Sequence, residues 1–198
     1  DEIILENGLT SCYIRPLMFL GYGEMGMNPS EIPVRTMIAA WSWSDYLGED
    51  DMDEGVDVMT SSWTRHHPNI MPTKAKASGN YINSVLAKRE AVRNGYHEAL
   101  MLDSQGFVAE GTGENFFMVR NGELVTPPKT SIIEGITRDT VMVLAEDMGY
   151  EVVEENITRD QVYTAEEAFF CGTAAEITPL NTVDGRTVSK SIGEITED

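Results

Sequence analysis

Three short segments of this 198-residue chain combine polar side chains with small residues and turn signals. The first is Pro72-Thr-Lys-Ala-Lys-Ala-Ser-Gly-Asn-Tyr81, in a chain with only five lysines against nine arginines. A lysine enclosed by small residues can lose its proton by desolvation and act as an amine nucleophile, which makes Lys76 a candidate. Lys74 and Lys76 as plain surface cations is the competing reading. The second is Val108-Ala-Glu110-Gly-Thr-Gly-Glu114-Asn-Phe116, where two carboxylates flank glycines inside a run of strand formers. Burying a carboxylate is costly unless it is partnered, so a partner is expected unless the segment is a solvated bulge. The third is a pair of turns, Glu134-Gly-Ile-Thr137 and Cys171-Gly-Thr-Ala-Ala-Glu176. Exposed backbone N–H groups at such turns can gather an anion, and Gly135-Ile136-Thr137 opens a helix whose dipole favours a phosphate. Ordinary capping by Thr137 explains the same residues. Spacing alone decides none of the three.

The elements that must carry these residues can be read from the hydrophobic pattern. Ser11–Tyr22 and Val34–Trp43 are apolar, β-branched and aromatic, and read as strands around a loop of Gly21, Gly23, Gly26, Asn28 and Pro29. Ser78–Asn94 reads as a helix with Tyr81, Ile82, Val85, Leu86, Arg89 and Val92 near helical spacing, stopped at Asn94-Gly95. Strands follow at Glu98–Leu102, Phe107–Val108 with Phe116–Arg120, and Glu123–Thr126, and Asn121-Gly122 is a strong hairpin cue. A second helix is expected over Thr137–Asp147, with Val141, Leu144, Ala145 and Met148 on one face. Strands at Glu151–Ile157 and Glu167–Cys171 and a turn at Asp184-Gly185 complete the pattern. The mixture is α/β with much antiparallel sheet, not a regular βαβ repeat. The acidic stretch from Ser44 is the best linker. It divides the chain into 1–40, the remainder of a small domain; 41–52, a linker; and 53–198, a larger domain.

Composition narrows the partners. With 33 acidic against 14 basic residues the formal charge is -19, which argues against binding nucleic acid or anionic lipid. No apolar run reaches the length of a membrane span, and a cytoplasmic protein is expected. Cys12 and Cys171 read as buried thiols of a reduced compartment. His66, His67 and His97 lack metal-ligand spacing, so no metal is expected. The block Gly48–Glu54 reads as a solvated helix start. Such self-repulsion is tolerated best where salt screens it, which points to a salt-rich cytoplasm, with a merely acidic mesophile protein as the competing reading. No P-loop, dinucleotide-binding fingerprint or nucleophile elbow is present.

Six motifs, taken in order, resemble the branched-chain amino acid aminotransferases of the fold-type IV pyridoxal-phosphate enzymes. They are Tyr13-Ile-Arg15-Pro, Ala75-Lys-Ala-Ser-Gly-Asn-Tyr81, Glu110-Gly-Thr-Gly-Glu-Asn115, Pro127-Pro, Gly135-Ile-Thr-Arg-Asp139 and Gly172-Thr-Ala-Ala-Glu-Ile-Thr-Pro179. The resemblance covers essentially the whole chain. It implies that Lys76 forms the Schiff base with pyridoxal 5'-phosphate, with Lys74 a bystander. It implies that Glu110 pairs with the pyridinium nitrogen, that Glu114 is structural, and that Tyr81 bonds the ring oxygen. Ile136 and Thr137 would hold the phosphate through backbone N–H groups, with Thr173 adding to it. For the substrate it implies Tyr13 and the turn at Thr173-Ala174 for the α-carboxylate. Arg15 would take the second carboxylate of glutamate, and Trp43 and Tyr46 would line an apolar pocket.

The activity implied is ping-pong transamination of L-leucine, L-isoleucine and L-valine with 2-oxoglutarate, giving 2-oxo acids and glutamate. Alternatives are a D-amino acid aminotransferase or aminodeoxychorismate lyase of the same fold, or a binding module without catalysis. The Tyr-x-Arg placement favours the branched-chain group. The resemblance also implies a homodimer or higher homo-oligomer, and that the chain is the middle of a longer one, lacking a phosphate-binding arginine and a pocket aromatic.

Overall fold

The structure, a computed structural model, describes residues 1–43, 55–188 and 193–198. The expected linker lies mostly on residues 44–54, and it, the Gly48–Glu54 block and Tyr46 fall outside the described residues. The chain forms two compact units, Asp1–Tyr46 and Leu47–Asp198.

The first unit is a short helix α1 (Glu2–Glu6) followed by an antiparallel ribbon of β1 (Tyr13–Leu20) and β2 (Val34–Trp41), in register from Tyr13 opposite Trp41 to Leu20 opposite Val34. Both strands are shorter than their apolar runs. Tyr13 and Arg15 are two residues apart, so they share one face of the ribbon.

In the second unit, one nine-stranded sheet holds the described strands, in the order β5-β4-β3-β10-β9-β6-β7-β8 with β11 beside β10. These are β3 (Val56–Thr60), β4 (Glu98–Leu102), β5 (Val108–Glu110), β6 (Asn115–Arg120), β7 (Glu123–Thr126), β8 (Val152–Glu154), β9 (Glu167–Gly172), β10 (Glu176–Val183) and β11 (Arg186–Thr187). The pairs β3–β4, β3–β10 and β7–β8 are parallel and the others antiparallel. The class is the expected mixed α/β. Both hairpin cues are met: Asn121 and Gly122 have φ of 54° and 77°, Asp184 and Gly185 52° and 72°, as a tight turn matched to strand twist requires.

β6 shows why the sheet is sandwiched. Phe116 and Met118 join Val58, Leu100 and Phe170 in one core layer, while Phe117 and Val119 join Leu124 and Phe169 in the other. Phe117 stacks on Phe169 with ring centroids 5.2 Å apart. Asn115 begins this strand and is 3% exposed, a polar residue carried into the interior by apolar neighbours.

Helix α2 (Tyr81–Arg93) reverses the expected face. Its buried residues are Ser84, Ala87 and Ala91, whereas Ile82, Val85 and Val92 are more than half exposed. Small side chains let the helix lie close to β4, where Ala87 and Ala91 pack with Ala99 and Met101. Helix α3 (Ile136–Met148) buries Arg138 and Ala145, and Val141 and Met142 pack on the second core layer. Its expected face is corrected too, because Leu144 and Met148 are about half exposed. The expected strand at Phe107–Val108 is displaced to Val108–Glu110, and that at 151–157 contracts to Val152–Glu154. Strand β3, the one-turn helix α4 (Arg159–Val162) and the terminal α5 (Glu194–Glu197) were not legible in the pattern.

Candidate active site

The lysine segment is shaped by Asn80. Its amide Nδ2 donates to the carbonyls of Pro72 and Ala75, each at 2.9 Å, and so fixes the loop that carries Lys76. A 3-10 turn at Ser78–Asn80 leads directly into α2. Tyr81, the first residue of α2, is thereby placed so that Lys76 Nζ donates to its hydroxyl oxygen at 2.9 Å. Lys76 is exposed, so the expectation of a lysine enclosed by small residues is corrected. Its small neighbours shape a turn without covering the amine. Lys74 is 3.1 Å from Glu134 and also donates to the carbonyls of Lys129 and Ile132. It therefore ties the lysine loop to the segment ahead of α3.

Glu110 closes β5 and is 4% exposed. Its partners were not foreseen. Oε1 lies 2.7 Å from Arg65 Nη2, and Oε2 accepts from the Ile133 backbone N–H at 3.0 Å and from Asn115 Nδ2 at 3.2 Å. Burial raises the Glu110 carboxyl to about 7, against the opposing pull of Arg65, the Ile133 N–H and Lys76. Burial thus wins over three favourable neighbours, and the group sits near the midpoint between its two forms at neutral pH.

Glu114, four residues on, is held from its own turn. Oε2 accepts from the Gly113 N–H at 2.9 Å, but Oε1 is buried without a partner. Burial, with the neighbouring Glu98, pushes it up to about 8. The two carboxylates that spacing could not separate therefore differ in kind: one is held by donors from three segments, the other is half-orphaned.

A small cavity is lined by Arg65, Ala75, Asn80, Tyr81, Glu110 and Ile133, among others. Through the Lys76–Tyr81 contact, the structure brings Lys76, Tyr81 and Glu110 to one place. Ile136 and Thr137 form the first turn of α3, three and four residues beyond Ile133. The N-cap, Gly135, has no side chain to satisfy the free N–H groups. Capping by Thr137 is thus not its role. Thr173 and Ala174 lie in the tight connection between β9 and β10, where Gly172 pairs with Glu176.

In the first unit, Tyr13 stacks on Trp43 at 4.8 Å and meets Trp41 at 5.2 Å. Arg15 Nη2 donates to the Tyr13 hydroxyl at 3.0 Å, and its guanidinium lies 5.1 Å from the Tyr13 ring centre. Tyr13, Arg15 and Trp43 thus form one aromatic and cationic cluster. Trp41 joins it because it pairs with Tyr13 across the ribbon.

Sequence reasoning missed Arg65, Asn115 and Trp41. Asn115 stood at the end of a quoted motif without a role, and Trp41 could have been found from hairpin register. Arg65 in Trp-Thr-Arg-His-His carried no signal. Cys171 is buried as expected and its thiol is pushed up to about 12, while Cys12 is only half-buried, a correction. Among the described residues no group of three or more His, Cys, Asp and Glu side chains is placed to hold a metal, and no helix is long and apolar enough to cross a membrane.

Residues 1–183 match the amino-transferase class IV family. The chain belongs to that family. As a class IV aminotransferase chain, it is 51% identical over 195 residues to the branched-chain-amino-acid aminotransferase of Pseudomonas aeruginosa, covering 98% of this chain and 64% of that one. It superposes on the Escherichia coli branched-chain amino acid aminotransferase crystal structure with a TM-score of 0.96 at 47% identity, covering 99% of this chain and 66% of that one. A branched-chain amino acid aminotransferase from T.th., solved with pyridoxamine 5'-phosphate, gives a TM-score of 0.93 at 49% identity, covering 99% and 65%. The chain therefore spans somewhat under two thirds of the curated Pseudomonas relative's length.

The donor set of this candidate site suits a phosphorylated pyridine aldehyde. Glu110 Oε1 keeps one acceptor site beside a buried guanidinium whose Nε has no protein partner. Lys76 supplies an amine at the rim and Tyr81 a hydroxyl. The uncapped start of α3 supplies N–H groups for a phosphate.

Proposed function

We propose that this chain is part of a pyridoxal-phosphate-dependent transaminase of branched-chain L-amino acids with 2-oxoglutarate. The observation that carries this is the Lys76–Tyr81–Glu110 arrangement. It combines an amine 2.9 Å from a phenol with a buried carboxylate fixed by Arg65, Asn115 and the Ile133 N–H. Names of the Pseudomonas aeruginosa and Escherichia coli relatives support the substrate class.

When bound, pyridoxal phosphate supplies an electron-poor ring that accepts the electron pair left at the substrate α-carbon. The chain's own residues do the rest. Glu110, as a carboxylate, accepts the ring N–H and keeps that nitrogen protonated. Tyr81 Oη orients the ring oxygen and holds Lys76. Lys76, with its amine free, would take the α-proton and return it to the carbon on the far side of the substrate nitrogen, a 1,3 transfer that needs the amine close to both carbons. Ile136 and Thr137 N–H groups would anchor the phosphate, with Thr173 adding to it. Tyr13 and the Thr173-Ala174 turn would receive the α-carboxylate, and Arg15 the second carboxylate of 2-oxoglutarate. Trp43 and Tyr46 would enclose the aliphatic side chain. The two half-reactions alternate on one site, giving ping-pong kinetics.

The reading extends to a homodimer in a cytoplasm, with residues 1–40 completing a small domain, 41–52 a linker and 53–198 the larger domain. The acidic surface fits a salt-rich interior. The test is full-length protein with pyridoxal phosphate, assayed with L-valine and D-alanine against 2-oxoglutarate. Visible absorbance and L-valine turnover, both lost in Lys76→Ala, are expected. Steady turnover by Lys76→Ala, or turnover with D-alanine alone, overturns the reading.

A further inference from the structure

The two oxygens of Glu110 are not equivalent. Each carboxylate oxygen offers about two acceptor sites. Oε2 takes the Ile133 N–H and the Asn115 amide and is full, while Oε1 takes Arg65 and has one site left. Asn115 Nδ2 also donates to the Ile133 carbonyl at 3.0 Å. Both neighbours are acceptors, so nitrogen must face them, which fixes the amide orientation. Its Oδ1 points the other way, into the space a Cβ at Gly135 would take, 2.2 Å from that position. Asn115 thus touches the carboxylate, the segment leading to α3 and the residue that starts α3.

We infer that Asn115 is a positioning residue that saturates Glu110 Oε2, leaves Oε1 as the single acceptor for a ring N–H, and ties that acceptor to the phosphate-gathering turn at Gly135. The inference rests on the reading of the site as a pyridoxal-phosphate site. Under it, the ring end and the phosphate end of the cofactor are held by one connected set of hydrogen bonds. The glycine at 135 follows from the same contact, since a side chain there would displace the Asn115 amide. The charged groups facing Glu110 are Arg65 from the segment after β3, Lys76 from the segment before α2, and Glu114 from the same glycine turn. Asn115 is a neutral donor among them, so its removal changes which form of Glu110 is favoured without changing the net charge.

The test uses full-length protein and two readouts. The first is an infrared titration of the protonated Glu110 carboxyl in cofactor-free protein, the band being assigned by its loss in Glu110→Gln. Loss of one hydrogen bond to a charged carboxylate corresponds to about one to two pH units. Asn115→Leu should therefore raise the Glu110 midpoint by about one unit. The second is a titration of bound pyridoxal phosphate by visible absorbance. The acid limb should move up with the first readout, and affinity at neutral pH should fall about fivefold, as the carboxylate fraction at pH 7 drops from about a half to about a tenth. Gly135→Ala should shift both in the same direction while leaving Asn115 intact. In an Asn115→Ser background, which vacates the contested space, Gly135→Ala should add nothing.

A merely structural Asn115 would lower the melting temperature and leave the Glu110 midpoint in place. An unchanged midpoint in Asn115→Leu, or in Asn115→Ser if the leucine variant does not fold, overturns the inference. Wild-type protein that fails to bind pyridoxal phosphate overturns the cofactor reading instead, and the infrared midpoint still decides the role of Asn115.

Discussion

Arg65→Leu separates the electrostatic reading of the site from a packing one. The Arg65 and Glu110 side chains are 8% and 5% exposed, with 2.7 Å between Nη2 and Oε1. Removing one partner of such a pair costs about 3–5 kcal/mol because the remaining charge is buried and unpaired. Glu110 has an escape, however, since it takes up a proton near pH 7 even with Arg65 present. At pH 6 the carboxyl is largely neutral in both proteins, and the variant loses a hydrogen bond and packing of about 1–2 kcal/mol. At pH 9 the wild-type pair is intact, and the variant must bury a lone carboxylate or hold a proton against the solution. The penalty should therefore grow by about 2 kcal/mol or more between pH 6 and pH 9.

Denaturant unfolding of full-length, cofactor-free protein at the two pH values measures this difference. The sign follows from linkage. Glu110 binds its proton more tightly folded, at about 7, than unfolded, at 4.5. Its contribution to stability is present below about pH 4.5 and lost as pH rises through 7. Arg65 limits that loss by favouring the charged form. A destabilisation by Arg65→Leu that is the same at pH 6 and pH 9 would refute the coupling and leave Arg65 as filler.

Three further outcomes follow from the same geometry. Glu114 is raised to about 8, so it too contributes stability that is lost as pH rises through 8; Glu114→Gln should flatten the fall in melting temperature between pH 7 and pH 9, and a fall as steep as wild type would contradict it. Gly149 caps α3 in the left-handed region at φ 95°, so Gly149→Ala should cost about 1 kcal/mol in denaturant unfolding; no measurable loss would show that the helix end relaxes. The charge of -19 predicts a melting temperature that climbs between low salt and about 1 M salt as repulsion is screened, and a flat response would remove the salt-rich interpretation.

How legible the molecule was depended on the kind of signal each residue carried. The turns at Asn121-Gly122 and Asp184-Gly185 were readable because a positive φ is a local demand that few residues meet. Helix α2 was readable as a helix and misread as to its face. Periodicity marks large apolar residues, whereas the sheet is met by Ser84, Ala87 and Ala91 because close packing favours small ones. Strand β3 was hidden because Val-Asp-Val-Met-Thr is short and follows an acidic run. Among the expected site residues, Lys76, Tyr81 and Glu110 were named from motif wording, and the structure brings them together. Arg65 was not, because its partner lies 45 residues away in sequence and on another strand's end.

The pair Glu110 and Glu114 shows what spacing cannot decide. Both are acidic, both flank the same glycines, and both are buried to nearly the same degree. What separates them is where donors arrive from. Glu110 ends β5, where the segment after β3 delivers Arg65, the start of β6 delivers Asn115, and the segment ahead of α3 delivers the Ile133 N–H. Glu114 receives the Gly113 N–H within its own turn and keeps an oxygen unsatisfied. A carboxylate held by three elements has a fixed direction and a tunable proton, which a ring-nitrogen acceptor requires. One held by its own turn lacks that fixed direction, and its burial is a cost to the fold. In a chain this acidic, a carboxylate becomes useful chemistry only where separate segments are folded to bring donors to it, and at Glu110 three of them are.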